Sequence, residues 1–162
     1  IEKLTWGSWT PHKYKIAVSG CPRNCAEATI KDFGIIGVDS GWEIHVAGNG
    51  GIKVRVTDFL CKVKTDEELF EMVKAYMQFY REDAYYLERT AHWIERVGLE
   101  YVKEVLFDEE KRKMYAASFD ISQKSAQVDP WAKAIEDGFT KEFSPIVIDP
   151  NDSHSFEAKE QI

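Results

Sequence analysis

Two cysteines separated by three residues offer the clearest chemistry in this sequence. Cys21 and Cys25 lie in the stretch 19–28, Ser-Gly-Cys-Pro-Arg-Asn-Cys-Ala-Glu-Ala. Pro22 fixes its own φ and Gly20 permits backbone angles that other residues resist, so a stiff loop should lift both sulfurs the same way. Such a thiolate pair can bind a metal, and it is half of the four thiolates that usually hold an iron–sulfur cluster.

The residues after the second cysteine predict a short helix over 26–30. Its N-terminal amides and positive dipole end would face the loop and favour thiolates there. The spacing alone leaves other interpretations open, because the same pattern begins many zinc sites and some redox-active disulfides. Two ordinary cysteines near a turn are a further possibility.

A glycine-rich stretch provides the second group of candidate residues. Gly48, Asn49, Gly50 and Gly51 predict a hairpin, with Lys53 and Arg55 on the outward face of the returning strand. With His45 on the same polar face, backbone amides and cations could instead meet the carboxylates of a ligand.

The third cysteine, Cys61, lies in an apolar stretch outside any two-cysteine spacing. Free cysteine is among the residues most often buried, so we interpret it as a structural thiol. The alternative is a third ligand to a cluster.

Three stretches of the sequence, taken together, are distinctive. Residues 19–28, 33–38 and 41–51 closely resemble the sirohaem and [4Fe–4S] nitrite and sulfite reductases, most of all the C-terminal part of the large subunit of the NADH-dependent assimilatory nitrite reductases. The resemblance runs from about Trp6 to about Val105 and includes a Tyr-Tyr-Leu-Glu-Arg segment at 85–89, interpreted as helical.

This resemblance implies roles for the candidate residues. Cys21 and Cys25 would be the second pair of ligands to a [4Fe–4S] cluster, with Cys25 also bridging to the iron of sirohaem. The glycine loop would lie against sirohaem through Gly48, Asn49 and Gly50, with Lys53 and Arg55 beside it.

The resemblance also implies an activity and its cofactors. Nitrite would be reduced to ammonium, or sulfite to sulfide, with electrons from NAD(P)H. FAD and NAD(P)H would bind in a part of the polypeptide that this chain lacks, and a small nitrite reductase subunit would be a partner. Arg23 follows Pro22 where the sulfite reductases usually have Asn, which favours the nitrite branch.

Two departures from the family matter. Its first cysteine pair, C-x5-C, should precede Cys21, and no cysteine does so here. The basic residues that bind the substrate anion also lie upstream in the family. Because the chain begins at Ile1 without an initiator Met, we interpret it as a fragment of a longer polypeptide that needs its upstream half to complete the cluster.

Composition narrows the class of protein. The 162 residues are 44% hydrophobic, which suits a globular domain with a core, and no apolar run or signal peptide suggests a membrane or secreted protein. We therefore expect a cytoplasmic protein.

Residues 12–64 carry a net charge of +3 and residues 65–162 a net charge of −10. The basic half suits an anionic cofactor, while the acidic half would repel nucleic acid and anionic membranes.

The charge asymmetry leaves alternatives from other classes. The acidic half could be the docking face of a module that binds a redox partner and holds no complete cofactor. A zinc-stabilised structural domain is a further alternative.

Hydrophobic periodicity predicts an α+β fold, with a small mixed sheet and a cysteine-loop helix followed by a helical C-terminal region. We divide the chain into an α/β half-site at 1–64, a helical region packed on it at 65–119, and an extended, partly disordered tail at 120–162. The predicted strands are 14–19, 33–38, 42–47 and 52–56, and the predicted helices begin at the Thr65 capping box, Ala84, Leu99 and Lys111. One helical turn is predicted at 130–135, and disorder is predicted at 151–162.

Overall fold

The structure is a computed structural model that describes residues 1–138. Residues 1–127 form one compact unit, and a second unit begins at Val128. The elements of the first unit, in chain order, are α1 (Glu2–Thr5), β1 (Ile16–Ser19), a single 3-10 turn (Ala28–Ile30), β2 (Phe33–Val38), β3 (Gly41–Val46), β4 (Asp58–Val63), α2 (Asp66–Asp83), α3 (Thr90–Val97), α4 (Leu99–Phe107) and α5 (Glu109–Ala126). The second unit contains α6 (Pro130–Glu136).

The strands form the small mixed sheet that the sequence predicts. Their order is β1-β2-β3-β4, with β1 parallel to β2 and the other two pairs antiparallel. The register places Ile16 beside Phe33 and Phe33 beside Val46. A register shift between Ile44 and His45 marks a bulge against β4. The α+β fold class is thereby confirmed.

One face of the sheet is covered by helices. The capping box predicted at Thr65 is present, with Thr65 accepting from the Glu68 amide while the Glu68 side chain accepts from the Thr65 amide. The helix it starts, α2, packs along α5 over the sheet. Because side chains on a strand alternate between faces, Phe33 and Ile35 meet the helices while Gly34 faces the other way.

The core beneath the helices is rich in aromatic side chains. Trp93 is fully buried, with its ring centroid 5.8 Å from that of Tyr76, 5.2 Å from Phe79 and 5.4 Å from Tyr80. Burial raises the pKa of the Tyr76 hydroxyl well above its ordinary value, because a phenolate at this position would lose its hydration. The aromatic stripe of α2 is therefore core, as its spacing predicts.

The helix predicted directly after the cysteines does not form. Glu27 has a left-handed backbone with φ of 55°, which interrupts a helix before it can begin. Only the 3-10 turn Ala28–Ile30 follows, so no α-helix dipole is directed at the cysteine loop.

The strand predicted over 52–56 is also absent. Ile52, Val54 and Val56 are exposed rather than directed inward, and only an isolated bridge joins Asn49 to Arg55. The partner of β3 is instead β4, six residues long and containing Cys61. The alternation at 52–56 resembles a strand, but β4 occupies the edge of β3 with which this segment was expected to pair.

Two helix boundaries differ from the prediction. Residues 85–89 are not helical, because Leu87 has φ of 65° and α3 begins only at Thr90. The predicted end of α3 at Gly98 is confirmed, with Gly98 at φ of 88°. Residues 120–126 belong to α5 rather than to an extended tail. The disorder predicted at 151–162 lies outside the described residues, and our division into three regions stays a prediction.

Candidate functional site

The cysteine loop leaves β1 at Ser19 and turns twice. The Asn24 amide donates to the Cys21 carbonyl at 3.1 Å, and the Glu27 amide donates to the Asn24 carbonyl at 2.9 Å. Asn24 and Glu27 have φ of 56° and 55°, whereas Gly20 does not adopt a positive φ. The special backbone angles that the sequence assigns to Gly20 are therefore carried by these two residues. The loop leaves both cysteines exposed and free.

Short polar contacts hold this loop in place. Asn24 Oδ1 accepts from Ser19 Oγ at 3.0 Å and from the Ala28 amide at 2.7 Å. Asn24 Nδ2 donates to Thr29 Oγ1 at 2.9 Å, and the Ala26 amide donates to Ser19 Oγ at 3.2 Å. Both backbone neighbours of Cys25 are thereby connected to a buried serine at the end of β1.

Two glycines of β2 let the loop lie directly on the sheet. A Cβ at Gly34 would be 2.1 Å from the Ala28 carbonyl oxygen, and one at Gly37 would be 2.7 Å from the Gly20 carbonyl oxygen. No larger residue fits such a backbone approach without displacing the loop. The apolar run 33–38 thus supplies a buried strand and also a seat for the cysteine loop.

The structure joins the glycine loop to the far end of the cysteine loop. The Gly48 amide donates to the Lys31 carbonyl at 2.8 Å, and a Cβ at Gly48 would be 2.5 Å from that oxygen. The Thr57 amide donates to the Thr29 carbonyl at 2.8 Å. The two sequence-predicted groups of site residues are therefore neighbours in space.

Within the glycine loop, Asn49 and Arg55 act inside the domain. Asn49 is buried, its Nδ2 donates to the Lys53 carbonyl at 2.9 Å, and its backbone pairs with that of Arg55. The Arg55 guanidinium donates to the Ala47 carbonyl and to Asp58, each at 2.7 Å, and its Nε lies 3.4 Å from Glu95. These contacts occupy Arg55 within this domain, whereas Lys53 is exposed.

His45 lies on the sheet face opposite the helices and is largely buried. Its ring meets Phe59 edge-on at 5.6 Å, and its Nε2 lies 3.7 Å from Glu43 Oε2 without making a hydrogen bond. It does not share an open surface with Lys53, which the alternating pattern had predicted.

Sequence reasoning missed the buried carboxylate between the two loops and the helices. Asp32 is fully buried, and its oxygens accept from the Lys15 amide at 2.9 Å, Arg89 Nη2 at 2.6 Å and Thr90 Oγ1 at 2.6 Å. Its carbonyl also accepts from the Ala47 amide. The signal was an aspartate directly before a buried apolar strand, a position that requires a partner for the charge.

Cys61 lies on the other side of the sheet from the cysteine loop. Its register partner Ile44 is a core residue, and Cys61 lines a cleft of about 500 Å³ with α2 and α5. Burial raises the pKa of its thiol to about 11, although the nearby Arg112 opposes the shift. Among residues 1–138, no group of three or more His, Cys, Asp or Glu side chains could hold a metal ion. The structure thus favours a structural thiol over a third ligand.

Comparison with known proteins assigns the chain to a family. The profile of the "Nitrite and sulphite reductase 4Fe-4S domain" matches residues 1–114. The chain belongs to this family. The resemblance carried by the cysteine and glycine loops is thereby confirmed, and with it the association with an iron–sulfur cluster.

Individual relatives carry more specific names. The chain is 53% identical over 137 residues to "Nitrite reductase [NAD(P)H]" of Bacillus subtilis, covering 85% of this chain and 17% of that protein. It is 44% identical over 111 residues to "Nitrite reductase (NADH) large subunit" of Escherichia coli, covering 67% of this chain and 13% of that protein. The chain therefore spans less than a fifth of these relatives.

A sulfite reductase is also similar, at lower identity. "Sulfite reductase, assimilatory-type" of Nitratidesulfovibrio vulgaris is 31% identical over 106 residues, covering 65% of this chain and 49% of that protein.

In the part of the chain that the structure describes, no helix is both long and apolar enough to span a bilayer.

The residues of the cysteine loop fit half of an iron–sulfur site. Both thiols are exposed and neither is consumed by a disulfide. The loop is fixed by hydrogen bonds rather than by a surrounding core, which leaves its outer side open to a cluster and to further ligands. Cys21 also borders a groove of about 330 Å³ with Gly37, Gly41 and Trp42.

Proposed function

We propose that this chain is the half-site of a nitrite reductase that reduces nitrite to ammonium with electrons from NAD(P)H. Cys21 and Cys25 supply two of the four thiolate ligands of a [4Fe–4S] cluster, and the other two come from an upstream part of the same polypeptide. The observation that carries this proposal is the exposed, disulfide-free cysteine pair on a loop braced at both ends.

The same geometry supports a place for sirohaem. Cys25 would be the thiolate that serves both the cluster and sirohaem, and the glycine loop, joined to the cysteine loop through Lys31 and Thr29, would contact sirohaem. Gly48, Asn49 and Gly50 shape that loop, and exposed Lys53 is available to a carboxylate of the cofactor. Arg55 supports the loop from inside through Ala47 and Asp58.

The bound metals supply one-electron steps and an iron that binds the substrate anion, while this chain's residues supply ligation and local charge. FAD, NAD(P)H and the residues that bind nitrite belong to other parts of the polypeptide in this proposal. A small reductase subunit is a partner, and the enzyme is cytoplasmic. We propose nitrite rather than sulfite as the substrate, because the names of the more similar relatives specify nitrite.

The test is a pair of serine variants in the complete polypeptide. Cys25→Ser should lose iron, acid-labile sulfide, the sirohaem absorption coupled to the cluster, and nitrite-dependent oxidation of NADH. Cys61→Ser is the matched control and should keep all four, because Cys61 lies on the opposite side of the sheet.

Each alternative has its own result. A Cys25→Ser variant that keeps cluster and turnover contradicts the proposal and favours a docking module. Zinc in place of iron and sulfide favours a structural zinc domain. Sulfite-dependent oxidation of NADH faster than the nitrite-dependent reaction assigns the chain to the sulfite branch.

A further inference from the structure

The residues around Cys25 cannot be positioned by packing. Cys21, Pro22, Arg23, Cys25 and Ala26 are all exposed. An exposed segment with so few apolar contacts would ordinarily sample many conformations. Cys25 is therefore held by the seat of the loop on β2 and by the backbone geometry and hydrogen bonds of the loop, rather than by packing of its neighbouring side chains.

We infer that the Asn24 side chain is the positioning residue that holds Cys25 ready for the cluster, an inference that rests on the proposed function. The side-chain oxygen of Asn24 accepts hydrogen bonds from the Ser19 hydroxyl and the Ala28 amide, and its side-chain nitrogen donates one to the Thr29 hydroxyl. These bonds cross the chain on either side of Cys25. A Cys25 held this way loses less conformational entropy when it ligates a metal.

Ser19 anchors the arrangement to the sheet. It is 4% exposed at the end of β1, and its hydroxyl donates to Asn24 and accepts from the Ala26 amide. The residues before and after Cys25 are thus tied to the same buried oxygen. Thr29 extends the connection, because its hydroxyl accepts from Asn24 while its carbonyl accepts from the Thr57 amide beyond the glycine loop.

Backbone conformation alone does not account for asparagine here. Glu27 has almost the same positive φ, and its side chain makes an exposed ion pair with Lys31 at 3.3 Å. Glycine adopts such angles without steric cost. A glycine at either position therefore keeps the turn, but only at position 24 does it remove the hydrogen bonds that cross the loop.

The experiment compares Asn24→Gly with Glu27→Gly in the complete polypeptide. The first readout is hydrogen exchange of the Ala26 and Ala28 amides, and the second is the rate at which an iron chelator removes the cluster. Both rates should rise at least about two- to tenfold in Asn24→Gly, the factor expected for losing one ordinary hydrogen bond, because this variant loses three, and both should stay within twofold of wild type in Glu27→Gly.

A second variant protects the test against misfolding. Thr29→Val removes only the acceptor of the Asn24 amide nitrogen and should raise both rates in the same direction by a smaller factor. Equal rates in wild type, Asn24→Gly and Thr29→Val overturn the inference alone. A wild-type protein that binds no iron overturns the proposed function, and the inference with it.

Discussion

The two sides of the sheet are stabilised in different ways. On the helical side, formed by α2–α5, Trp93, Tyr76 and Phe33 are completely buried against one another. On the loop side, formed by residues 19–32 and 47–57, both cysteines are exposed and Ile52 is fully exposed. The helical side relies on apolar burial spread over many residues, whereas the loop side relies on a few hydrogen bonds and close backbone contacts.

The difference reflects what each side does. A close-packed core surrounds its side chains completely and has no room for a cofactor. In the proposed function the loop presents two thiolates and has to keep its outer surface open, so its conformation depends on individual polar contacts. Losing one contact should therefore disturb the loop side locally, while the helical side should respond to substitutions in its core as a unit.

Asp32 is where the two sides meet, so its replacement tests their coupling most severely. Asp32→Ala leaves the Arg89 guanidinium, only 15% exposed, without its carboxylate and also removes the partners of Thr90 and the Lys15 amide. We expect the free energy of unfolding to fall by about 3–5 kcal/mol, measured by chemical denaturation.

The control for Asp32 is an ion pair on the surface. Glu27→Ala removes the exposed pair with Lys31 and should change the same free energy by about 0.5 kcal/mol or less. If Asp32→Ala were equally mild, the buried pair would not join the two sides and the comparison would fail.

A glycine pair tests the seat of the cysteine loop. Gly34→Ala places a Cβ 2.1 Å from the Ala28 carbonyl, so the loop must lift from β2, at a cost of about 1–3 kcal/mol typical of overpacking. Gly20→Ala meets nothing within 4 Å and is the matched control. Chemical denaturation measures the free energy of unfolding, and the iron content of the complete polypeptide shows whether the cysteine loop still holds the cluster. Equal stability and iron content in the two variants would contradict the close contact between the cysteine loop and β2.

The last prediction concerns Cys61 and alkaline pH. Burial raises the pKa of its thiol from 9.0 to about 11. Between these values the unfolded chain has lost a proton that the folded chain keeps, so the free energy of unfolding should decrease as pH rises from about 9 to 11. Alkylation of Cys61 followed against pH should have its midpoint near the higher value. A midpoint near 9 would place this thiol on the open side.

Local patterns in the sequence were sufficient wherever one element decides its own conformation. The capping box at Thr65, the glycine stop at position 98 and the buried strand 33–38 are all found as predicted. The local patterns gave wrong predictions where an element depends on a partner elsewhere in the chain or on an unusual backbone angle. Residues 52–56 alternate like a strand, but β4 takes their expected partner β3, and the helix expected after Cys25 is blocked by the backbone angles of Glu27.

The candidate site divides in the same way. The sequence by itself determined the family and the candidate chemistry, because the surrounding motifs indicate the family and the types and spacing of Cys21 and Cys25 predict thiolate ligation. Only the tertiary structure decided the surroundings: Cys61 faces away, Arg55 is occupied by Asp58, and Asp32 connects both loops to the helices. The physical reason is that ligand type is a property of single residues, while partners brought together across 57 positions depend on how the whole chain packs.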